Sequence, residues 1–283
     1  MKLKAKQVLL ISRPRFWMYV LGTFLVGMIA SGNPFGYDES TVLLLVAFGL
    51  FFSLPANLLI YGVNDIYDYD TDIHNDKKTK YEQLLPPVTH KRLWLIIALI
   101  CLPFIPLLFI VNKATLLTVV IFVFTGLFYS APPIRAKSKP PLDLLFSAII
   151  YVSPALIGYF ATGRSNLEWL AVIGGLLWAF GMQTYSAVPD IEADRKAGVE
   201  TLATYLGERK ALWFCLVAFL LSAMIGVFYV GFIAAILGII YLSMILLSLF
   251  NRTKLFNYYT YFPVINVLAG GILFFYLFFL MVL

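Results

Sequence analysis

The sequence is poor in what a soluble protein relies on. Charged residues make up 13% of its 283 residues, where a soluble domain carries roughly a quarter. There are two cysteines and two histidines. Cys101 and Cys215 both fall inside apolar runs, where a thiol packs as a small hydrophobe, so neither a disulfide framework nor a zinc site is expected. His74 and His90 are too few for imidazole-rich metal chemistry. No polar stretch is long enough for a separate globular domain, so one domain over 1–283 is expected. The net charge of +6 is no sign of nucleic-acid binding, because basic residues in an apolar chain first report membrane orientation. Met1 to Lys6 is basic, but no small-residue cleavage site follows the first apolar run, so that run is expected to stay as a helix.

What the chain does have is grease: 61% of it is hydrophobic and 17% aromatic. Apolar runs of about 20 residues, the length that crosses a bilayer, recur throughout. They are read as nine spans at roughly 16–34, 41–63, 92–112, 115–131, 142–162, 167–188, 211–230, 232–250 and 259–282. The fold class expected is an all-α polytopic membrane protein. With this count, nineteen of the 21 Lys and Arg residues fall on one side, and only Lys113 and Arg164 on the other. That asymmetry predicts the N-terminus and the even loops in the cytoplasm; the membrane expected is the cell (plasma) membrane. Twelve of the 15 acidic residues share that side; only Asp38, Glu39 and Glu168 face out. The cytoplasmic face therefore carries dense charge of both signs.

Two acidic clusters stand at span ends. The first is Asn64, Asp65, Asp68 and Asp72, and the second is Asp190 and Asp194 in "VPDIEADRKAG". Each reads as a helix exit, then Asp-Ile, then two aspartates four apart, a weak internal repeat that predicts two similar helix ends facing each other. On a continuing helix, i, i+3 and i+7 share a face, so Asp65, Asp68 and Asp72 align while Asp70 and Glu192 point to solvent. Carboxylates crowded on one face repel unless a cation neutralises them. With oxygen ligands alone, that cation is hard, Mg²⁺ first, and Mg²⁺ usually joins one or two carboxylates to a substrate phosphate. Arg135 and Lys137 after Tyr129 in "YSAPPIRAK", Lys77 and Lys78 after the first cluster, and Arg195 and Lys196 after the second, supply cations suited to phosphate. Lys77, Lys80, Glu200, Glu208, Arg209 and Lys210 read as solvated loop charges. Phe128, Tyr129, Tyr151, Tyr185, Trp178 and Tyr67 are aromatic candidates for a cavity wall.

These residues resemble the UbiA superfamily of intramembrane prenyltransferases. Its first motif, N-D-x-x-D-x-x-x-D, is matched in full by Asn64, Asp65, Asp68 and Asp72. Its second, D-x-x-x-D before a basic, Gly-containing turn and Thr-Leu, is matched by Asp190, Asp194 and "RKAGVETLATYLG". Tyrosine, prolines and Arg-x-Lys are matched by "YSAPPIRAK", although Pro133 stands where some members carry a lysine. The resemblance implies nine transmembrane helices around a central cavity. It implies catalytic Asp68, Asp72, Asp190 and Asp194, with Mg²⁺ held by these residues together with Asn64 and Asp65. It implies an isoprenoid diphosphate bound by Asn64, Arg135, Lys137, Lys78 and Tyr129. Within the superfamily, "ISRPRFWMYVLG", "LPANLLIYGVNDIYD" and "RAKSKPPLD" look most like the lycopene elongases of C50 carotenoid synthesis. That subgroup implies transfer of a C5 unit from dimethylallyl diphosphate to lycopene, an apolar polyene drawn from the membrane lipid, with a carotenoid-pathway protein as a further partner. Three alternatives stand beside it. One is another acceptor within the superfamily: an aromatic acid or quinone precursor, a tetrapyrrole or a glycerol phosphate. Another is a CDP-alcohol phosphotransferase, disfavoured by Tyr69 where that family needs glycine. The last is a cation-coupled transporter, disfavoured because the carboxylates sit at span ends rather than at mid-membrane.

Overall fold

The computed structural model describes residues 3–32, 36–69, 73 and 84–282. Among these residues every regular element is helical. Among the described residues seven helices are long and apolar enough to cross a membrane: Glu39–Tyr67, Pro87–Phe109, Leu142–Ala161, Trp169–Lys196, Glu208–Val230, Phe232–Phe250 and Arg252–Met281. They coincide with seven of the nine expected spans. The other two expected spans are shorter helices. Lys113–Phe128, 16 residues long, rises about 24 Å at 1.5 Å per residue, against a hydrocarbon core of roughly 30 Å. Leu21–Ala30 is 10 residues long and follows a tight turn of helix at Pro14–Tyr19.

In chain order the helices are α1 (Ala5–Ile11), α2 (Leu21–Ala30), α3 (Glu39–Phe52), α4 (Leu54–Asn57), α5 (Val63–Tyr67), α6 (His90–Cys101), α7 (Lys113–Phe128), α8 (Leu142–Ala161), α9 (Trp169–Ala187), α10 (Ile191–Lys196), α11 (Leu202–Leu206), α12 (Glu208–Val230), α13 (Phe232–Phe250) and α14 (Leu255–Val282). The chain clusters into two compact units. The first is 1–135 with 153–165 and 270–283; the second is 136–152 with 166–269.

In the first unit, Asp38 caps α3 by accepting the Thr41 N–H at 2.8 Å, and Asn112 caps α7 by accepting the Thr115 N–H at 2.9 Å. Each satisfies a backbone donor that the helix start leaves open. The Asn112 side-chain amide also donates to the Phe160 carbonyl at 2.7 Å, tying α7 to the end of α8. Between α4 and α5 lies a π-helical turn, Leu58–Gly62, all of it buried. Its Leu58 and Leu59 join Val8, Ile11, Val63, Ile66, Leu93 and Ile97 in one core, which holds the helix end that carries the first aspartates. Two close backbone approaches fix α2 on α8. A Cβ at Gly27 would fall 1.9 Å from the Ala155 carbonyl oxygen, and one at Gly158 would fall 2.3 Å from that of Phe24.

In the second unit, Pro189 has no N–H to give and breaks the long apolar helix. α9 therefore ends at Ala187, a tight turn runs Val188–Asp190, and α10 follows. α12 and α13 are separated by Gly231 alone, at φ +56, a left-handed conformation that glycine adopts without steric cost. Tyr185 is fully buried here, packing edge-on against Phe262 at 5.1 Å and bonded to Ser248 at 2.9 Å. It is a packing residue rather than the cavity-wall aromatic the sequence offered.

Candidate active site

α5 does not continue through Asp72 as the sequence reading had it. It ends at Tyr67, and Asp68 is its C-terminal cap at φ −105, ψ 4. Asn64, Asp65 and Asp68 are nevertheless gathered, because three to four residues complete one helical turn. Asp65 and Asp68 are 4% and 2% exposed, at a depth where carboxylates need partners. The Asn64 amide supplies one, donating to Asp68 Oδ2 at 2.5 Å and to Ser130 Oγ at 3.1 Å. Arg135 Nη2 stands 3.8 Å from Asp68 Oδ1 and donates to the Tyr67 carbonyl at 3.5 Å. Its Nε is buried with no hydrogen-bond partner among the described residues.

Arg13 is the site residue that sequence reasoning missed. Its Nη2 lies 2.8 Å from Asp65 Oδ1 and 3.4 Å from Asn64 Oδ1. Its guanidinium also sits over the Tyr61 ring at 4.7 Å. The available signal was "SRPRFW", an arginine held ahead of a proline. That position disfavours the right-handed helical region, and Arg13 takes φ +50. Arg135 has φ +47, and among the described residues these two are the only non-glycine residues with positive φ. Left-handed backbone is uncommon outside glycine and clusters at functional sites. Both instances here carry the guanidinium groups that hold the first aspartates.

Of the other expected residues, Tyr129 caps the end of α7 next to Ser130, its N–H donating to the Thr125 carbonyl at 2.9 Å. Lys137, half-buried in a short turn at Ala136–Ser138, belongs to the second unit. Asp72 and Lys78 lie outside the described residues. In the second unit, Asp190 sits at the junction of the Pro189 turn and α10, and Asp194 one helical turn further on, both half-buried; Glu192 between them is exposed, as expected. The Asp194 carbonyl accepts the Val199 N–H at 2.8 Å. Arg195 reaches the Thr204 carbonyl at 3.1 Å.

The donors collected at the first helix end are amide and carboxylate oxygens, a set that suits a hard divalent cation. Among the described residues no group of three or more His, Cys, Asp and Glu is close enough to hold a metal ion; a third carboxylate of that motif, Asp72, falls outside them. The buried Arg135 Nε–H suits an incoming anion, since a desolvated donor without an acceptor is costly. The site thus defines a multi-pass helical membrane protein with an acidic, arginine-flanked centre at the end of a span.

Comparison with known proteins gives that description a family. The UbiA prenyltransferase family model matches residues 20–261. A lycopene elongase/hydratase of Haloarcula japonica is 35% identical over 266 residues, covering 93% of this chain and 88% of that one. One of Haloferax volcanii is 34% identical over 274 residues, covering 92% and 84%. In fold, the chain matches a UbiA homologue from Archaeoglobus fulgidus bound to DMAPP and Mg²⁺, with TM-score 0.69, 20% identity and coverage of 96% and 99%. The chain belongs to the UbiA prenyltransferase family and is an integral membrane prenyltransferase. Membership decides against the phosphotransferase and the transporter.

Proposed function

We propose that the chain, working as one domain, is a Mg²⁺-dependent lycopene elongase that moves a C5 group from dimethylallyl diphosphate to lycopene. The observation that carries the reading is the buried Asn64–Asp65–Asp68 cluster with Arg13 and Arg135 at a span end. Ionisable groups buried at a membrane-span end are costly and mark function. The lycopene elongase/hydratases of two haloarchaea, similar over nearly the whole chain, and the DMAPP- and Mg²⁺-bound homologue support donor, acceptor and metal.

Asn64, Asp65 and Asp68, with Asp72, would hold one Mg²⁺ at the first helix end, and Asp190 with Asp194 would hold a second at theirs. Mg²⁺, when bound, would neutralise the diphosphate and stabilise it as a leaving group. Arg135 offers its Nε and forked Nη donors to the diphosphate, and Lys137, Lys78 and Tyr129 are assigned to the same anion. Arg13 neutralises Asp65 and keeps Asn64 oriented. Siting in the bilayer excludes water from the allylic cation left after C1–O cleavage and departure of the diphosphate; a terminal double bond of the acceptor attacks it, and the tertiary cation so formed on the acceptor loses a proton or takes up water. Polar groups bonded inside the spans among the described residues include the neutral pairs Ser147–Gln183, Tyr185–Ser248 and Tyr241–Asn266. Such interiors suit an uncharged polyene better than an aromatic acid. The site is taken to face the cytoplasm at the plasma membrane, on the asymmetry of basic residues.

The test is expression in a lycopene-producing host with mass analysis of the pigments, beside Asp68→Asn and Asp190→Asn. C45 and C50 carotenoids are expected from the parent and neither from the variants. Prenylation of a different acceptor, with lycopene unchanged, would overturn the acceptor. Undiminished turnover in both variants would overturn the roles given to the aspartates.

A further inference from the structure

Asp143 lies outside everything described above and is costly to keep. It stands in the first turn of α8 and is 3% exposed. Its Oδ2 accepts the Leu202 N–H at 2.7 Å, while its Oδ1 is buried with no hydrogen-bond partner among the described residues. Leu202 is the first residue of α11. Thr201 and Thr204 already cap that helix reciprocally: the Thr204 N–H donates to Thr201 Oγ1 at 3.2 Å and the Thr201 N–H to Thr204 Oγ1 at 2.8 Å. The helix therefore has its own cap, and the carboxylate from α8 is an additional tie across 59 residues of chain.

That tie leads to the second aspartate pair. Thr204, two residues along α11, accepts from Arg195 Nη2 through its carbonyl at 3.1 Å. Arg195 is on α10, next to Asp194, and the Asp194 carbonyl is held by Val199 N–H at 2.8 Å. A continuous set of hydrogen bonds thus runs from a membrane-spanning helix through α11 to the short helix that bears Asp190 and Asp194. α10 is only 6 residues long and follows a proline break, so its own turns constrain it weakly.

We infer that Asp143 is a positioning residue that sets α10, and with it the spacing of Asp190 and Asp194, by holding the first N–H of α11. The inference rests on the reading that this pair carries Mg²⁺. Outer-shell partners of metal ligands commonly change metal affinity by roughly 10- to 100-fold when removed.

The experiment uses the full chain in detergent and follows thermal unfolding while Mg²⁺ is titrated at fixed inorganic pyrophosphate, with Asp143→Ala and Asp143→Asn beside the parent. Asp143→Ala removes the acceptor; Asp143→Asn keeps an oxygen for Leu202 and drops the charge. Asp143→Ala is expected to raise the Mg²⁺ concentration for half-maximal stabilisation about tenfold, and Asp143→Asn to stay within about threefold of the parent. An Ala variant that melts lower but keeps the parent's Mg²⁺ dependence would reduce Asp143 to a stabilising residue and overturn the inference. An Asn variant as impaired as Ala would overturn the hydrogen-bond account. Should Asp143→Ala fail to fold, Asp143→Ser, too short to reach Leu202, is judged by the same criterion. Asp194→Asn serves as control. If it leaves the response to Mg²⁺ and pyrophosphate intact, the metal-binding role of the second pair falls; if it abolishes the response while Asp143→Ala does not change it, only the positioning role falls.

Discussion

Replacing Arg13 should be among the most damaging single changes at the site. The Arg13–Asp65 pair is 2.8 Å apart, with side chains 14% and 3% exposed, so water screens little of it. Removing one partner of a buried pair costs about 3–5 kcal/mol, mostly because the other charge is stranded. At 1.4 kcal/mol per factor of ten, that lowers the folded-to-unfolded ratio by roughly two to three and a half orders of magnitude. Arg13→Ala should show this loss, and adding Asp65→Asn should restore most of it by removing the stranded charge. Arg13→Gly should be more stable than Arg13→Ala by about 1 kcal/mol, since φ +50 costs an alanine and not a glycine. The measurement is unfolding in mixed micelles followed by tryptophan fluorescence. Trp17 reports locally, its indole N–H bonded to Ser12 O at 3.0 Å and to Ser12 Oγ at 3.1 Å. An Arg13→Ala variant within about 0.5 kcal/mol of the parent, the range of an ordinary surface substitution, would refute the reasoning.

Two further outcomes follow from the fold. Gly27→Ala and Gly158→Ala each drive a methyl into a neighbouring backbone carbonyl. Each is expected to cost at least about 3 kcal/mol, the upper end of overpacking, because the two helices must part. Gly270→Ala, with nothing within 4 Å, should be neutral or stabilising by up to about 1 kcal/mol; the yield of folded protein extracted from membranes separates them. Hydrogen bonds from Thr41 and Ser40 hold the exposed Asp38 carboxyl below its ordinary value of 3.8. A depressed pKa gives stabilisation that is present above the unfolded value and lost as pH falls through the folded one. Protection of the Thr41 amide hydrogen, taken as its exchange rate relative to the intrinsic rate at each pH, should therefore fall below pH 3.8, and Asp38→Ala should remove that dependence.

The spans were legible because apolar length is set by the bilayer, whatever the packing. Even the split between α12 and α13, which no charge marks, falls at Gly231 where the sequence put it. The gathering of Asn64, Asp65 and Asp68 was legible too, since residues three and four apart share a helical face. What sequence could not supply was partners. Arg13 is 52 residues from Asp65 and Asp143 is 59 from Leu202, and neither spacing has a period. Nor was the end of α5 visible. An i, i+3, i+7 pattern presumes unbroken helix, whereas the helix ends at Asp68 and the gathering there comes from a single turn. Pro189 did announce its break, yet the polar links that steady α10 afterwards are contacts in space.

The π-helical turn at Leu58–Gly62 has one more implication. A wide turn accommodates a residue that a regular helix would have no place for, and each residue of a regular helix turns the chain by about 100°. The wide turn absorbs that extra residue, so the Asn64–Asp65 face keeps the phase of the helix before it; winding Leu58–Gly62 as regular α-helix with all its residues would swing that face by about 100°, away from the two arginines. The winding of this stretch is therefore as much a determinant of the acidic centre as the acids themselves, and a homologue of equal length without the wide turn would keep every motif letter yet aim them at the wrong wall.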